Sequence, residues 1–393
     1  MSAELQRIKV LSAGIFSLIL TLGIARFAYT PLLPIMQAQT DLTDSSGGWL
    51  AAINYMGYLL GALIASVLSD LQLKDRLYRA GILVAIITTA GMAVTENFYL
   101  WALFRFLAGL SSAAGLLIGS GLVLNWLMRH NFRSELGIHF SGAGLGIAFG
   151  ALVVELAYMH FNWSEQWWLL TLFACVLAVP ALIWLPKPGR NPQTTSGTAL
   201  EDRPPSNTFM YLIMFAYFCA GYGYVISATF IVDIVEQQPS LEGKGALAFL
   251  IIGLSAAPAC FIWDRIARKT GVLTALLYAY IVQITGIILP AVSDDLIVVI
   301  LSSILFGMTF IGIVSLVLTM AGRFYPTKPA KLMGKMTLTY GVAQIIGPAI
   351  TGMLAGALGN YNLGLWIAAG MVLLGAATII VLMRTHKAEI QNL

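Results

Sequence analysis

Apolar residues fall into twelve runs of bilayer-crossing length, and no other feature of the chain narrows its possible folds so far. The runs lie at roughly 10–36, 47–69, 79–95, 98–127, 135–158, 166–186, 209–234, 245–263, 272–292, 296–321, 334–357 and 363–383. A helix needs about 20 mostly apolar residues to cross the hydrocarbon core. Backbone groups in lipid must be paired within the structure, and no series of short alternating segments is present. The pattern therefore predicts helices and not a barrel. Composition agrees, with only 10% charged residues against about 25% in soluble domains. The net charge of +4 does not point to nucleic acid, because the basic residues stand singly between apolar runs and form no patch.

The first run follows Arg7 and Lys9 but is too long for a signal-peptide core of about 7–15 residues, so it reads as a retained span. Cys175, Cys219 and Cys260 each sit inside an apolar run without metal-type spacing. They read as small buried hydrophobes, with no disulfide and no metal site.

Lysine and arginine set the orientation. With the N-terminus in the cytoplasm, nineteen of the 22 basic residues fall in cytoplasmic segments. Lys244 lies opposite, and Arg26 and Arg105 lie inside spans. The opposite loops are acidic, carrying Asp41, Asp44, Glu96, Glu165, Glu236, Glu242, Asp294 and Asp295. Both termini are then cytoplasmic, in a multi-pass protein of the inner membrane. One long polar stretch, 187–207, is rich in Pro, Ser, Thr and Asn and reads as a flexible linker. It separates 1–186 from 208–393, two six-helix halves of equal length. Gly137, Gly144 and Gly150 recur as Gly334, Gly341 and Gly347 at a constant offset of 197, and Asp70 recurs as Asp264 at an offset of 194. A duplication accounts for both.

WDRIARK at 263–269 and RFLAG at 105–109 resemble the loop motif and the R-x-x-x-G element of the major facilitator superfamily. The first-half loop motif keeps Asp70 but lacks its glycine. GIARFAYTPLLP at 23–34 and GIHFSGAGLGI at 137–147 are similar to the YbfB/YjiJ-type branch. The resemblance spans the chain. It implies an all-α integral membrane fold, twelve transmembrane helices in two pseudo-symmetric six-helix bundles. It also implies alternating access, with helices 3, 6, 9 and 12 peripheral and the other eight lining a central cavity. Asp70 would face the start of helix eleven and Asp264 the start of helix five, where the helix dipole favours an anion. Arg105 takes from the family a structural or proton-coupling role, and Arg265 and Arg268 belong to the loop motif.

Arg26 lies about 16 residues into its run, or roughly 24 Å, which places it past the midplane. A charge there costs a few kcal/mol and needs a wet cavity or a partner. It either anchors a substrate anion or pairs with Glu155 or Asp233. Tyr29 shares its face, below the Pro31 and Pro34 bend. Glu155 and Asp233 are either proton-coupling carboxylates or interfacial side chains that reach water. His139 is either a pH-sensitive gate or a hydrogen-bonded packing residue. Asn54 and Tyr58, Tyr217 and Tyr224 with Tyr222 and Thr229, and Tyr340 with Gln344 form polar and aromatic stripes at helical spacing. Such stripes suit a cavity for a partly apolar solute.

No GxxxxGK[ST], HExxH or GxSxG is present, so the energy source lies outside the chain and intramembrane hydrolysis is disfavoured. The expected function is secondary active transport of a small amphipathic organic solute, an anion in preference, with proton-coupled export. A passive facilitator, an uptake symporter and a non-transporting sensor are the rivals. The expected partners are the substrate, protons and membrane lipid, with no nucleic acid, no cofactor, no metal and a monomeric state.

Overall fold

The computed structural model describes residues 3–68, 70–130, 132, 136–188, 204–324 and 329–386. Among them the chain is helical, with no strand. The spans are α1 (Glu4–Gln39), α2 (Asp44–Val67), α3 (Leu71–Ala93), α4 (Phe98–Leu127), α5 (Gly137–Ala157) and α6 (Trp163–Ile183). The second half holds α7 (Asn207–Glu236), α8 (Gly245–Ala256 with Ala259–Thr270), α9 (Val272–Val292), α10 (Leu296–Ala321), α11 (Lys335–Leu358) and α12 (Asn362–Thr385). Local signals set several starts. Thr43 and Asn162 each form a capping box, and the side chains of Asp70 and Asn97 accept from the first free amides of α3 and α4.

Twelve spans put both chain ends on one face, here the terminal end; the opposite face is the far end. Two expected boundaries move. Helix α3 begins at Leu71 and not at 79, so Lys74, Arg76 and Arg79 lie inside it. Arg79 pairs with Asp75 at 2.9 Å and donates to the Leu182 carbonyl at 2.8 Å, which ties α3 to the end of α6. Helix α8 bends by 46° where Pro258, which has no N–H, cannot continue the ladder. It then runs on to Thr270, so WDRIARK lies on a helix and not in a loop. Of the expected linker 187–207, residues 189–203 lie outside the described residues.

Helix pairs approach on glycine. A Cβ at Gly57 of α2 would lie 1.9 Å from the Phe106 carbonyl oxygen of α4, and one at Gly109 would lie 1.9 Å from that of Asn54. Lipid tails are as apolar as the helices, so close packing of small residues drives association. The two bundles meet where α2 packs on α11, α5 on α8, and the end of α1 on α7. The glycine repeat marks equivalent contacts. Gly144 of α5 abuts Ala256 and Ala257 of α8, as Gly341 of α11 abuts Leu59 of α2. Gly150 faces Ala28 of α1, as Gly347 faces Val225 of α7. The pair Gly137 and Gly334 carries no such comparison, since the side-chain surroundings of Gly334 lie outside the described residues.

Candidate functional site

The site begins with a break in α1. Residues Ile19–Phe27 wind as a π-helix, so one turn is wider than its neighbours. Pro31 and Pro34 follow and supply no backbone donors. Carbonyls in this stretch need outside partners, and α4 provides them. The Arg105 guanidinium donates to the carbonyls of Ala25 and Arg26 at 3.3 and 3.2 Å, and Ser112 donates to Thr21 at 2.7 Å. Wide turns of this kind are frequent at functional sites. Here the break carries Arg26.

Arg26 is 5% exposed. Its guanidinium lies 4.5 Å from the ring centre of Tyr55, 4.4 Å from that of Tyr58 and 5.2 Å from that of Phe27. Its Nε has no hydrogen-bond partner. Among the described residues it joins no ion pair. Tyr55 and Tyr58 stand at the middle of α2. Arg26 is therefore level with the middle of α2; α1 is 36 residues long and extends beyond its apolar run at the terminal end.

Across from Arg26 the second bundle presents a wall of rings. Tyr217 stacks on Tyr340 with centroids 4.5 Å apart, Tyr340 on Tyr224 at 5.8 Å, Tyr224 on Phe310 at 5.2 Å and Phe310 on Phe306 at 5.4 Å. Their planes differ by 29° or less. Tyr224 hydrogen-bonds to Tyr55 of α2 and stands within electrostatic reach of Arg26, so wall and cation are on facing sides of the two bundles. Nearby on the same helices, Thr229 and Gln344 are buried and each keeps one side-chain oxygen without a partner.

Several predicted site residues face elsewhere. Asn54 donates to the Arg105 carbonyl at 2.8 Å, so it fastens α2 to α4 instead of lining a cavity. Tyr29 donates to the Gly47 carbonyl at 3.0 Å and lies under Arg105, 4.3 Å from ring centre to guanidinium carbon. Tyr222 is buried beside Gly347 of α11, off the ring wall. Arg105 is thus a brace for the broken helix. Arg105→Leu strands two carbonyls, and each lost charge-assisted bond costs about 1.5–3 kcal/mol. The variant should melt well below the parent protein, measured by thermal unfolding in detergent.

Neither acid pairs with Arg26. Glu155 is exposed and stays at the interface. Asp233 is buried, contrary to its reading as a side chain that reaches water. It accepts from Tyr361, whose hydroxyl also lies 3.4 Å from Asp44. Gln37 donates to Asp44 at 2.8 Å. Burial and the adjacent Asp233 push the Tyr361 hydroxyl above its ordinary range, so it stays protonated and donates. This cluster joins the bundles at the far end. Thr30 adds a bond to the Ala228 carbonyl at 2.7 Å, and a Cβ at Gly48 would lie 2.5 Å from the Pro348 carbonyl oxygen. The far end is closed.

His139 is fully buried, with Nε2 2.8 Å from Ser120 Oγ. Ser120 gives its one proton to the Leu116 carbonyl, so His139 donates to it. It packs between α1, α4 and α5. At the terminal end Asp70 is exposed and caps its own helix, accepting from the Gln72 amide at 2.8 Å. Asp264 pairs with Arg268 at 2.6 Å on its own helix, not with α5, and Arg265 is exposed. The crossing contacts implied by the family pattern fall at the starts of α5 and α11, where residues 133–135 and 325–328 lie outside the described residues. The sequence reading missed Tyr55, Phe306, Phe310, Asp44 and Tyr361. Tyr55 with Tyr58, and Phe306 with Phe310, have the i,i+3 and i,i+4 spacing that would have flagged them.

The family model described as "Uncharacterised MFS-type transporter YbfB" matches residues 18–381. The uncharacterized MFS-type transporter YceJ of Bacillus subtilis (strain 168) is 24% identical over 271 residues, covering 67% of this chain and 68% of YceJ. The hexuronate transporter of the same organism is 21% identical over 90% of both chains. Crystal structures of the nucleoside transporter NupG superpose with a TM-score of 0.74 over 98% of this chain and 99% of the other, at 14% identity.

Proposed function

Since the chain belongs to the major facilitator superfamily, in the family of uncharacterised YbfB-type transporters, we propose that it carries a small organic anion held on Arg26. It is a multi-pass membrane protein of a transporter family and not an enzyme. The observation that supports an anion is the buried guanidinium with no carboxylate partner among the described residues. A central charge in a membrane protein is costly until it meets an opposite charge or water. The relative named for hexuronate transport carries a solute of the same charge. Bundles 1–186 and 208–393 rock about the site, exposing it to the two membrane faces in turn.

The orientation follows the positive-inside bias, with both termini in the cytoplasm of an inner membrane and the far end outside. Export is the favoured direction, because an inside-negative potential helps an anion outward by about 2.3 kcal/mol per 100 mV. The far-end cluster supports proton coupling. Tyr361 has one hydrogen for two carboxylates. Asp44 sits at the N-terminus of α2, where the helix dipole favours its charge, and Asp233 in the last turn of α7, where the dipole opposes it. Gln37, Gln237, Glu236 and Tyr29 complete the surroundings, and Arg105 stands behind Tyr29. Closure takes a proton onto Asp233, so the closed far end is favoured as external pH falls and lost as it rises.

Flux of labelled organic acids in proteoliposomes tests both parts. Carboxylates should move and neutral analogues should not, and an imposed pH gradient should drive them. Asp233→Asn, which cannot release the proton, should flatten that dependence. Flux in the parent protein indifferent to the gradient marks a passive facilitator, and steep dependence surviving in Asp233→Asn removes this residue from the coupling.

A further inference from the structure

The ring wall narrows the substrate class. Aromatic pairs left to themselves favour edge-to-face or offset arrangements. The wall takes the offset form throughout, running through Tyr217, Tyr340, Tyr224, Phe310 and Phe306 with successive planes 29°, 25°, 18° and 16° apart. It is built from three helices, α7, α10 and α11, and it faces Arg26 in the other bundle. When the bundles part, one side of the gap offers a set of rings in offset stacks and the other a single cation. A planar ring fits the first by stacking, and a carboxylate fits the second.

Charge limits the ligand further. Arg105 is committed to the carbonyls of Ala25 and Arg26 and to the Tyr29 ring, so it adds no free charge. Arg26 retains an unpartnered Nε at 5% exposure. A second negative charge on the ligand would enter the site unpaired, at the cost that buried single charges carry. Tyr55 and Tyr58 lie against the Arg26 guanidinium by ring contact and side-chain hydrogen bond, which leaves its Nε for a carboxylate.

We propose that the substrate is a planar aromatic monocarboxylate, its carboxylate on the edge of Arg26 and its ring on the Tyr217–Tyr340–Tyr224 wall. The proposal rests on the organic-anion reading above. Both ends of the ligand are then needed to bring the bundles together, which couples recognition to closure.

The test is a binding measurement on the full-length protein in detergent by isothermal calorimetry. The probes are benzoate, cyclohexanecarboxylate, benzamide and phthalate, with Tyr340→Leu, Tyr340→Phe and Arg26→Lys as variants. Stacking on the wall should make benzoate bind about tenfold tighter than cyclohexanecarboxylate. That preference should vanish in Tyr340→Leu and survive in Tyr340→Phe, which keeps the ring and controls for folding. Benzamide and phthalate should bind more weakly than benzoate, and Arg26→Lys should weaken both carboxylates together. Equal affinity for benzoate and cyclohexanecarboxylate overturns the aromatic assignment and leaves the anion reading standing. Phthalate binding as tightly as benzoate overturns the single charge. Benzamide matching benzoate, or no binding of either carboxylate, overturns the anion reading itself.

Discussion

Arg26→Ala is expected to abolish carboxylate binding while leaving the empty protein folded with little change in melting temperature. In the parent, ligand that binds the folded state raises the melting temperature by mass action. Removing one partner of a buried charge pair costs about 2–5 kcal/mol, a loss of roughly 30-fold to a few thousand-fold in affinity. The empty protein is spared because Arg26 has no ion pair among the described residues to lose. What disappears is its stacking on Tyr55 and Tyr58, about 0.5–2 kcal/mol, offset by relief of an uncompensated charge. Thermal unfolding with and without a saturating organic acid separates the two effects. A ligand-induced rise that persists in the variant would remove Arg26 from the site, and collapse of the empty protein would make it a structural residue.

The second large effect is expected at Gly48. Its missing side chain lets α2 press on α11 at the far end, where a Cβ would meet the Pro348 carbonyl oxygen at 2.5 Å and the Gly352 Cα at 3.1 Å. Both are backbone atoms, so neither can swing aside. Gly48→Leu forces the bundles apart at that end and removes the closed state from the cycle. Transport should fall to background. A cysteine at Ala228, which is 4% exposed in the closed state, should react with a membrane-impermeant maleimide far faster in the variant. The comparison needs a background with Cys175, Cys219 and Cys260 replaced. Unchanged labelling would mean that α2 and α11 accommodate the side chain and that closure does not depend on this contact.

Much of the architecture is one-dimensional information. Span count, helical character and the equivalence of the halves follow from run length, since lipid leaves the backbone no alternative to pairing within each span. The glycine offset of 197 is a direct trace of packing: Gly144 and Gly341 touch opposite bundles because duplicated helices meet duplicated partners. Arg26 was legible as the residue to watch, because a charge in an apolar run has to be accounted for.

The roles of its neighbours were not legible, because they depend on which face of each helix meets which partner. Asn54 and Tyr55 are adjacent in the chain, yet Asn54 serves the α2–α4 contact and Tyr55 stacks on Arg26. A helix turns 100° per residue, and a hydropathy pattern in a span that is apolar all round does not say where that turn is set. Asp44, Asp233 and Tyr361 lie far apart in sequence; Asp233 and Tyr361 meet inside the second bundle, and Asp44 reaches Tyr361 from the first. Run length and charge placement specify a twelve-span membrane protein built from two related halves, with one arginine inside its first apolar run. Packing between helices adds that this arginine has no carboxylate partner among the described residues, faces a wall of rings from the other half, and sits beneath a closed end. Helix rotation and interbundle contact are settled by packing between distant segments, and no local pattern encodes them.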